Sequence, residues 1–131
     1  MNWQGGLLAT VVLLVLGCGE PPSAQSVLGR YVMNKGRASD VLLVRSDGKW
    51  VHEYRFPTEP AIIDSGSWVF REVDNDAAVE FLGFTMRSRR ETFPEAQFGR
   101  GDWVAFVERG WGGQHRFSVD DDVGWAYVQK E

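Results

Sequence analysis

The chain has 131 residues, with 14 basic and 18 acidic side chains and a net charge of −4. That length corresponds to one domain, and the mild acidity counts against a nucleic-acid partner, which calls for a basic surface. A single cysteine rules out an internal disulfide.

In chain order, the first feature is the run of residues 5–17, almost wholly apolar. It falls short of the roughly 20 residues a helix needs to cross a bilayer and has the length of a signal-peptide core. Before it, residues 1–4 hold no Lys or Arg. After it, Gly-Glu-Pro-Pro-Ser-Ala-Gln-Ser (19–26) is polar and proline-bearing, a composition that favours an extended tether over packing. The only cysteine, Cys18, stands where the apolar run stops. Its sulfur must be free, paired between chains, or modified. A competing reading buries the N-terminus as a helix with an ordinary core cysteine, but Pro21 and Pro22 directly behind it are out of place in a packed helix.

Val15-Leu16-Gly17-Cys18 resembles the lipobox of bacterial lipoproteins. The resemblance implies cleavage between Gly17 and Cys18 and diacylation of Cys18 as the new N-terminus. It divides the chain into a signal peptide (1–17), a lipidated cysteine with a flexible tether (18–26) and one β domain (27–131). Each buried acyl CH₂ is worth about 0.8 kcal/mol, and two or more chains give durable anchorage. The family commonly holds proteins in the inner membrane through an Asp after the cysteine. Gly19 stands there instead, so the resemblance implies the outer membrane in a diderm host.

From Val27 onward the hydrophobic pattern has period two, broken by turn residues every eight to twelve positions, as in an all-β sandwich or barrel. Strands are expected at residues 27–33, with Leu28 and Val32 on one face and Tyr31 and Met33 on the other, then at 40–45 and 49–56. Ser46-Asp47-Gly48 joins the last two as a hairpin, with positive φ accessible to both Asp47 and Gly48. In the third strand Trp50, His52, Tyr54 and Phe56 share one face, expected to point inward. A fourth strand passes through Trp68 and Phe70, turns at Asp74-Asn75-Asp76 and leads to a fifth at 78–86. Residues 87–101, RSRRETFPEAQFGRG, read as the longest irregular connection, with one helical turn around 94–97. Strands resume at 102–108, 114–119 and 124–130. The fold class is therefore all-β, an antiparallel up-and-down barrel or strongly curled sheet of about eight strands behind a signal-peptide helix.

Three phrases in this region, Leu28-Gly29-Arg30-Tyr31, Ser46-Asp47-Gly48-Lys49-Trp50 and Ser65-Gly66-Ser67-Trp68, resemble the repeating motif of small lipocalin-like bacterial lipoproteins. These motifs are turn-and-pleat grammar, and so they speak for fold more than for function.

Candidate chemistry is sparse. His52 and His115, the latter sharing a face with Phe117 and Val119, both look inward by alternation. Two imidazoles without further His or Cys at ligand spacing read as hydrogen-bonded core residues rather than as a metal site. Asp74-Asn75-Asp76 and Asp120-Asp121-Asp122 lack the spacing of a calcium loop and read as turns. Gly110-Trp111-Gly112-Gly113 joins two strands as a hairpin turn. Arg87, Arg89, Arg90 and Arg100 form the one basic concentration and suit an oxyanion on a lipid head group, a phosphate or a partner's carboxylate. No Gly-x-Ser-x-Gly elbow or glycine-rich phosphate loop is present, and no cofactor is expected.

The first functional reading is a membrane-anchored lipoprotein whose β domain is a binding module in the cell envelope, without enzymatic activity. The alternative is a carrier of a small apolar ligand inside the barrel, lined by Trp50, Tyr54, Phe56, Trp68 and Phe70. A third, an unrecognised hydrolase, needs carboxylates or histidines converging in a cleft.

Overall fold

A computed structural model describes residues 20–131 apart from 91, 92, 111, 121 and 123; the side chains of 34, 35, 87–90, 93–99 and 120 also lie outside the described part. The expected signal-peptide helix, with Gly17 and Cys18, falls outside the described residues. Eight strands, β1 (Gly29–Lys35), β2 (Ala38–Val44), β3 (Lys49–Arg55), β4 (Ile62–Val73), β5 (Asp76–Arg90), β6 (Phe93–Arg109), β7 (His115–Asp120) and β8 (Trp125–Lys130), follow one another around a closed antiparallel barrel. Closure comes from β1 against β8, with Arg30 opposite Lys130 and Val32 opposite Val128. Of the two expected architectures the structure is the barrel, which leaves no open sheet edge around its wall.

Alternation sorts the side chains as the pattern requires. Along β2 the burial runs strictly in and out, and along β3 Trp50, His52 and Tyr54 all point inward. The hairpin between them closes differently from expectation. Only Gly48 takes positive φ (76°), and Arg45 N donates to Lys49 O at 2.9 Å while Gly48 N donates to Arg45 O at 3.2 Å, a turn with a glycine bulge. Asp47 keeps negative φ because its carboxylate works as a local acceptor, taking the Lys49 amide at 3.2 Å. Between β4 and β5, by contrast, Asp74 and Asn75 both have positive φ (51° and 68°), a two-residue turn of the primed kind.

The largest departure concerns residues 87–101. They are not an irregular connection with a helical turn. β5 and β6 continue through them for 15 and 17 residues, pairing Arg87 with Gln97 and Ser88 with Ala96. β4 accompanies β5 only as far as Leu82 and β7 joins β6 only from Val107, so residues 83–90 and 93–101 form a two-stranded ribbon beyond the wall. Phe84 and Met86 at its base still pack on the core, but from Arg87 on the sequence carries no hydrophobic period, and three register shifts break the alternation along the pair. The first shift lies at Gly83, with φ of 68°, whose amide donates to Asp102 Oδ1 at 3.0 Å and whose carbonyl accepts from Arg100 Nε at 3.0 Å.

The two ends of the barrel differ. One, here called the anchor end because residues 20–28 are fastened there, holds the β2–β3, β4–β5 and β6–β7 turns and the start of β1; the other, the ribbon end, carries the β5–β6 extension. The extended tether expected over 18–26 is, from Ser23 on, a hydrogen-bonded turn. Ser23 and Ser26 each accept the other's amide, at 3.1 and 2.8 Å, and Val27 N donates to Ser23 O at 3.1 Å. Val27 is fully buried and plugs the anchor end, its carbonyl accepting the Tyr31 hydroxyl at 2.8 Å.

Candidate functional site

On the carrier alternative the barrel interior is the ligand space, and its described side chains fill it with aromatic rings. Trp50 lies 5.1 Å from Phe84, Phe84 is 5.2 Å from Trp103, Trp103 is 5.1 Å from Phe81, and Phe81 is 5.5 Å from Phe117, which stacks on Tyr31 at 4.5 Å. Phe84 reaches this stack because the Gly83 bulge turns it inward. Room for Trp50 comes from Gly66 on β4, where any Cβ would stand 2.6 Å from the indole. The expected lining is thus mostly a core. Trp50 and Tyr54 are buried, Trp68 and Phe70 are half-buried against the core, and Phe56 falls one residue past β3 and is half-buried. Trp68 also clamps the β2–β3 turn, donating its indole N–H to Arg45 O at 2.8 Å.

Within this apolar stack sits one polar cluster. His52 Nε2 lies 2.7 Å from Asp40 Oδ1, and the Tyr127 hydroxyl donates to the same oxygen at 2.7 Å while standing 3.1 Å from His52 Nε2. A carboxylate only accepts, so Nε2 carries the proton. The ring stacks on Phe84 at 4.9 Å, and its Nδ1 has no hydrogen-bond partner. Burial first, and the Asp40 carboxylate second, push the Tyr127 hydroxyl well above its ordinary pKa. The three side chains are 0–1 % exposed. Asp40 and Tyr127 were missed as members of a site. The available signal was a lone Asp alternating with Leu42 and Val44, an acid on an inward-facing row.

His115 does not join His52. It stands at the anchor end, 6 % exposed, with Nε2 3.1 Å from Ser26 Oγ. Burial, then the Arg109 charge, lower its pKa. Gln129 completes the contact, accepting the His115 amide at 3.2 Å and donating to Ser26 O and Leu28 O at 3.1 and 2.9 Å. Arg109 Nη2 donates to Glu20 O at 2.6 Å. Residues 20–28 are therefore held at five points by β1, β6, β7 and β8.

Among the described residues no group of three or more metal-ligating side chains exists. Asp74 and Asn75 form the turn described above, and in the 120–122 cluster residue 121 lies outside the described part. Of the arginines, Arg87, Arg89 and Arg90 lie on the β5 side of the ribbon, with side chains outside the described part, and Arg100 on β6 is exposed. Two concavities are small. One of about 200 Å³ lies at the ribbon's base between Phe84, Met86, Asp102 and Trp103, and one of about 180 Å³ lies on the outer wall between Val32, Arg116 and Val128. Both fall below the few hundred Å³ of ordinary small-molecule sites. No helix among the described residues is long and apolar enough to cross a membrane. No family model, curated protein or solved structure matches this chain.

Proposed function

We propose that this chain is an exported bacterial lipoprotein, anchored through acylated Cys18, whose barrel serves as a rigid base for an interaction surface in the cell envelope. The observation that carries the reading is the inequality of the strands. Six strands run 6 to 12 residues, and only β5 and β6, at 15 and 17, continue past the wall as a ribbon. A closed barrel has no need of that extension, whereas a two-stranded arm offers backbone edges and side chains to a partner. Its sequence holds Arg87, Arg89, Arg90 and Arg100, and guanidinium groups suit an oxyanion-bearing envelope component. The carrier reading loses support from the filled interior. The lipobox resemblance favours the outer membrane in a diderm host.

The test is intact mass of the protein extracted with detergent from its host's membranes, beside a Cys18→Ser variant. The expected result is a chain beginning at Cys18 with an acyl mass increment that the variant lacks. A soluble, unmodified chain retaining Met1 overturns the reading.

A further inference from the structure

We propose that residues 20–28 seat the barrel on the bilayer by its anchor end, so that the loops at 45–48, 74–75 and 112–114 face phospholipid head groups while the β5–β6 ribbon points away from the membrane. This rests on the anchoring of Cys18 proposed above and adds which surface that anchor commits. A flexible tether would let the domain tumble above the membrane and offer every face in turn. The structure removes most of that freedom. Cys18 lies only two positions before Glu20, whose carbonyl accepts from Arg109 on the anchor-end rim. Two residues span at most about 7 Å, and the five from Cys18 to Ser23 at most about 18 Å.

Between those points stand Pro21 and Pro22, whose rings fix φ and stiffen the link, and Pro22 is half-buried. From Ser23 the chain is tied into its own turn and then to His115 and Gln129, with Val27 buried as a plug. Acyl chains in the membrane thus pull on the rim of the barrel and not on a loose leash.

The seat does not depend on an electrostatic patch. Arg45 is paired with Asp47 at 3.0 Å, Arg71 with Glu80, and Arg109 is engaged by the Glu20 carbonyl. Orientation follows from where the chain leaves the fold. β1, seven residues of strand, gives the wall a height of roughly 20 Å, and the ribbon beyond Leu82 adds roughly 25 Å. The outer end of the ribbon, where Arg90 pairs with Phe93, is therefore held far from the lipid, within reach of a partner in the envelope.

The experiment places one fluorophore on an introduced cysteine in the full acylated chain, Cys18 being blocked by its lipid. Ser46→Cys puts it in the anchor-end β2–β3 turn and Thr58→Cys in the exposed β3–β4 connection at the ribbon end. The protein is added to preformed vesicles of phosphatidylethanolamine and phosphatidylglycerol carrying an energy acceptor on a head group. Both sites are exposed turn positions, so neither change burdens the fold. Energy transfer is expected to be about twofold or more stronger from residue 46 than from residue 58, given the roughly 20 Å between the two ends. The difference is expected to shrink in an Arg109→Ala, Gln129→Ala background, which removes three of the five bonds that hold residues 20–28. Equal transfer from both positions in a chain whose mass shows the acyl chains overturns the seating and leaves the anchor standing. A chain without acyl mass overturns both.

Discussion

His52 and His115 are both nearly buried and both use Nε2 for their hydrogen bond, yet they belong to regions of opposite character. Around His52 every neighbour is part of the barrel itself: Asp40 on β2, Phe84 on β5 and Tyr127 on β8. Around His115 the partner is Ser26, from a segment that precedes the barrel. The interior cluster fastens the wall to itself, while the anchor-end cluster fastens the wall to the N-terminal segment. Loss of the first should unmake the fold, and loss of the second should loosen a strap on a fold that survives.

The largest effect expected from that contrast comes from Phe84→Ala. Its ring touches Trp50, His52, Phe81, Trp103 and Tyr127, and the cavity left behind should cost about 3–5 kcal/mol in urea unfolding. A loss below about 1 kcal/mol would mean that the ribbon's base does not plug the interior. Next comes Asp40→Ala, which strands the buried Tyr127 hydroxyl and the His52 N–H together and should cost about 3 kcal/mol, against about 1.5 for Tyr127→Phe, which deletes a single donor. Equal costs would show that the carboxylate serves Tyr127 alone.

At the other end, Gln129→Ala removes the bonds to Ser26 O and Leu28 O and should cost about 1–2 kcal/mol. Its sharper readout is hydrogen exchange, with amides of residues 26–28 losing protection while those of Leu42 and Trp50 keep theirs. Protection lost throughout would erase the distinction between strap and wall.

The smallest effect concerns pH. His115 has a folded pKa below its unfolded value near 6.5, so the unfolded chain binds the proton more readily. Stability contributed by neutral His115 is present above about pH 6.5 and is lost as pH falls through the lower folded value. His115→Gln should flatten that part of the acid limb, below about pH 6.5, without changing the midpoint ranking of the interior variants. An unchanged acid limb would mean the imidazole is not read by the fold.

The same contrast explains what was legible in advance. Trp50, His52 and Tyr54 alternate with Val51 and Glu53 on a half-buried strand, so their inward face could be read directly. Asp40 obeys the same alternation with Leu42, but an acid pointing inward is legible only once its donors are known. The ribbon was misread because Arg87 to Gly101 shows no period-two pattern in the sequence, and Gly83 shifts the register before it begins. Residues 23–26 looked like tether because Ser, Ala, Gln and Ser give no sign that Gln129, more than a hundred positions on, will hold them.

Strand number, antiparallel order and most turn positions followed from the sequence alone, since side-chain alternation and turn chemistry act over a few residues. Tertiary structure alone decided closure of β8 onto β1, the filling of the interior and the meeting of His52 with Asp40 and Tyr127, separated by 12 and 75 positions. It also decided the fastening of Ser26 to His115 across 89. Such contacts form only when the whole sheet curls shut and brings distant strands to one axis, a condition that no local window of the chain contains.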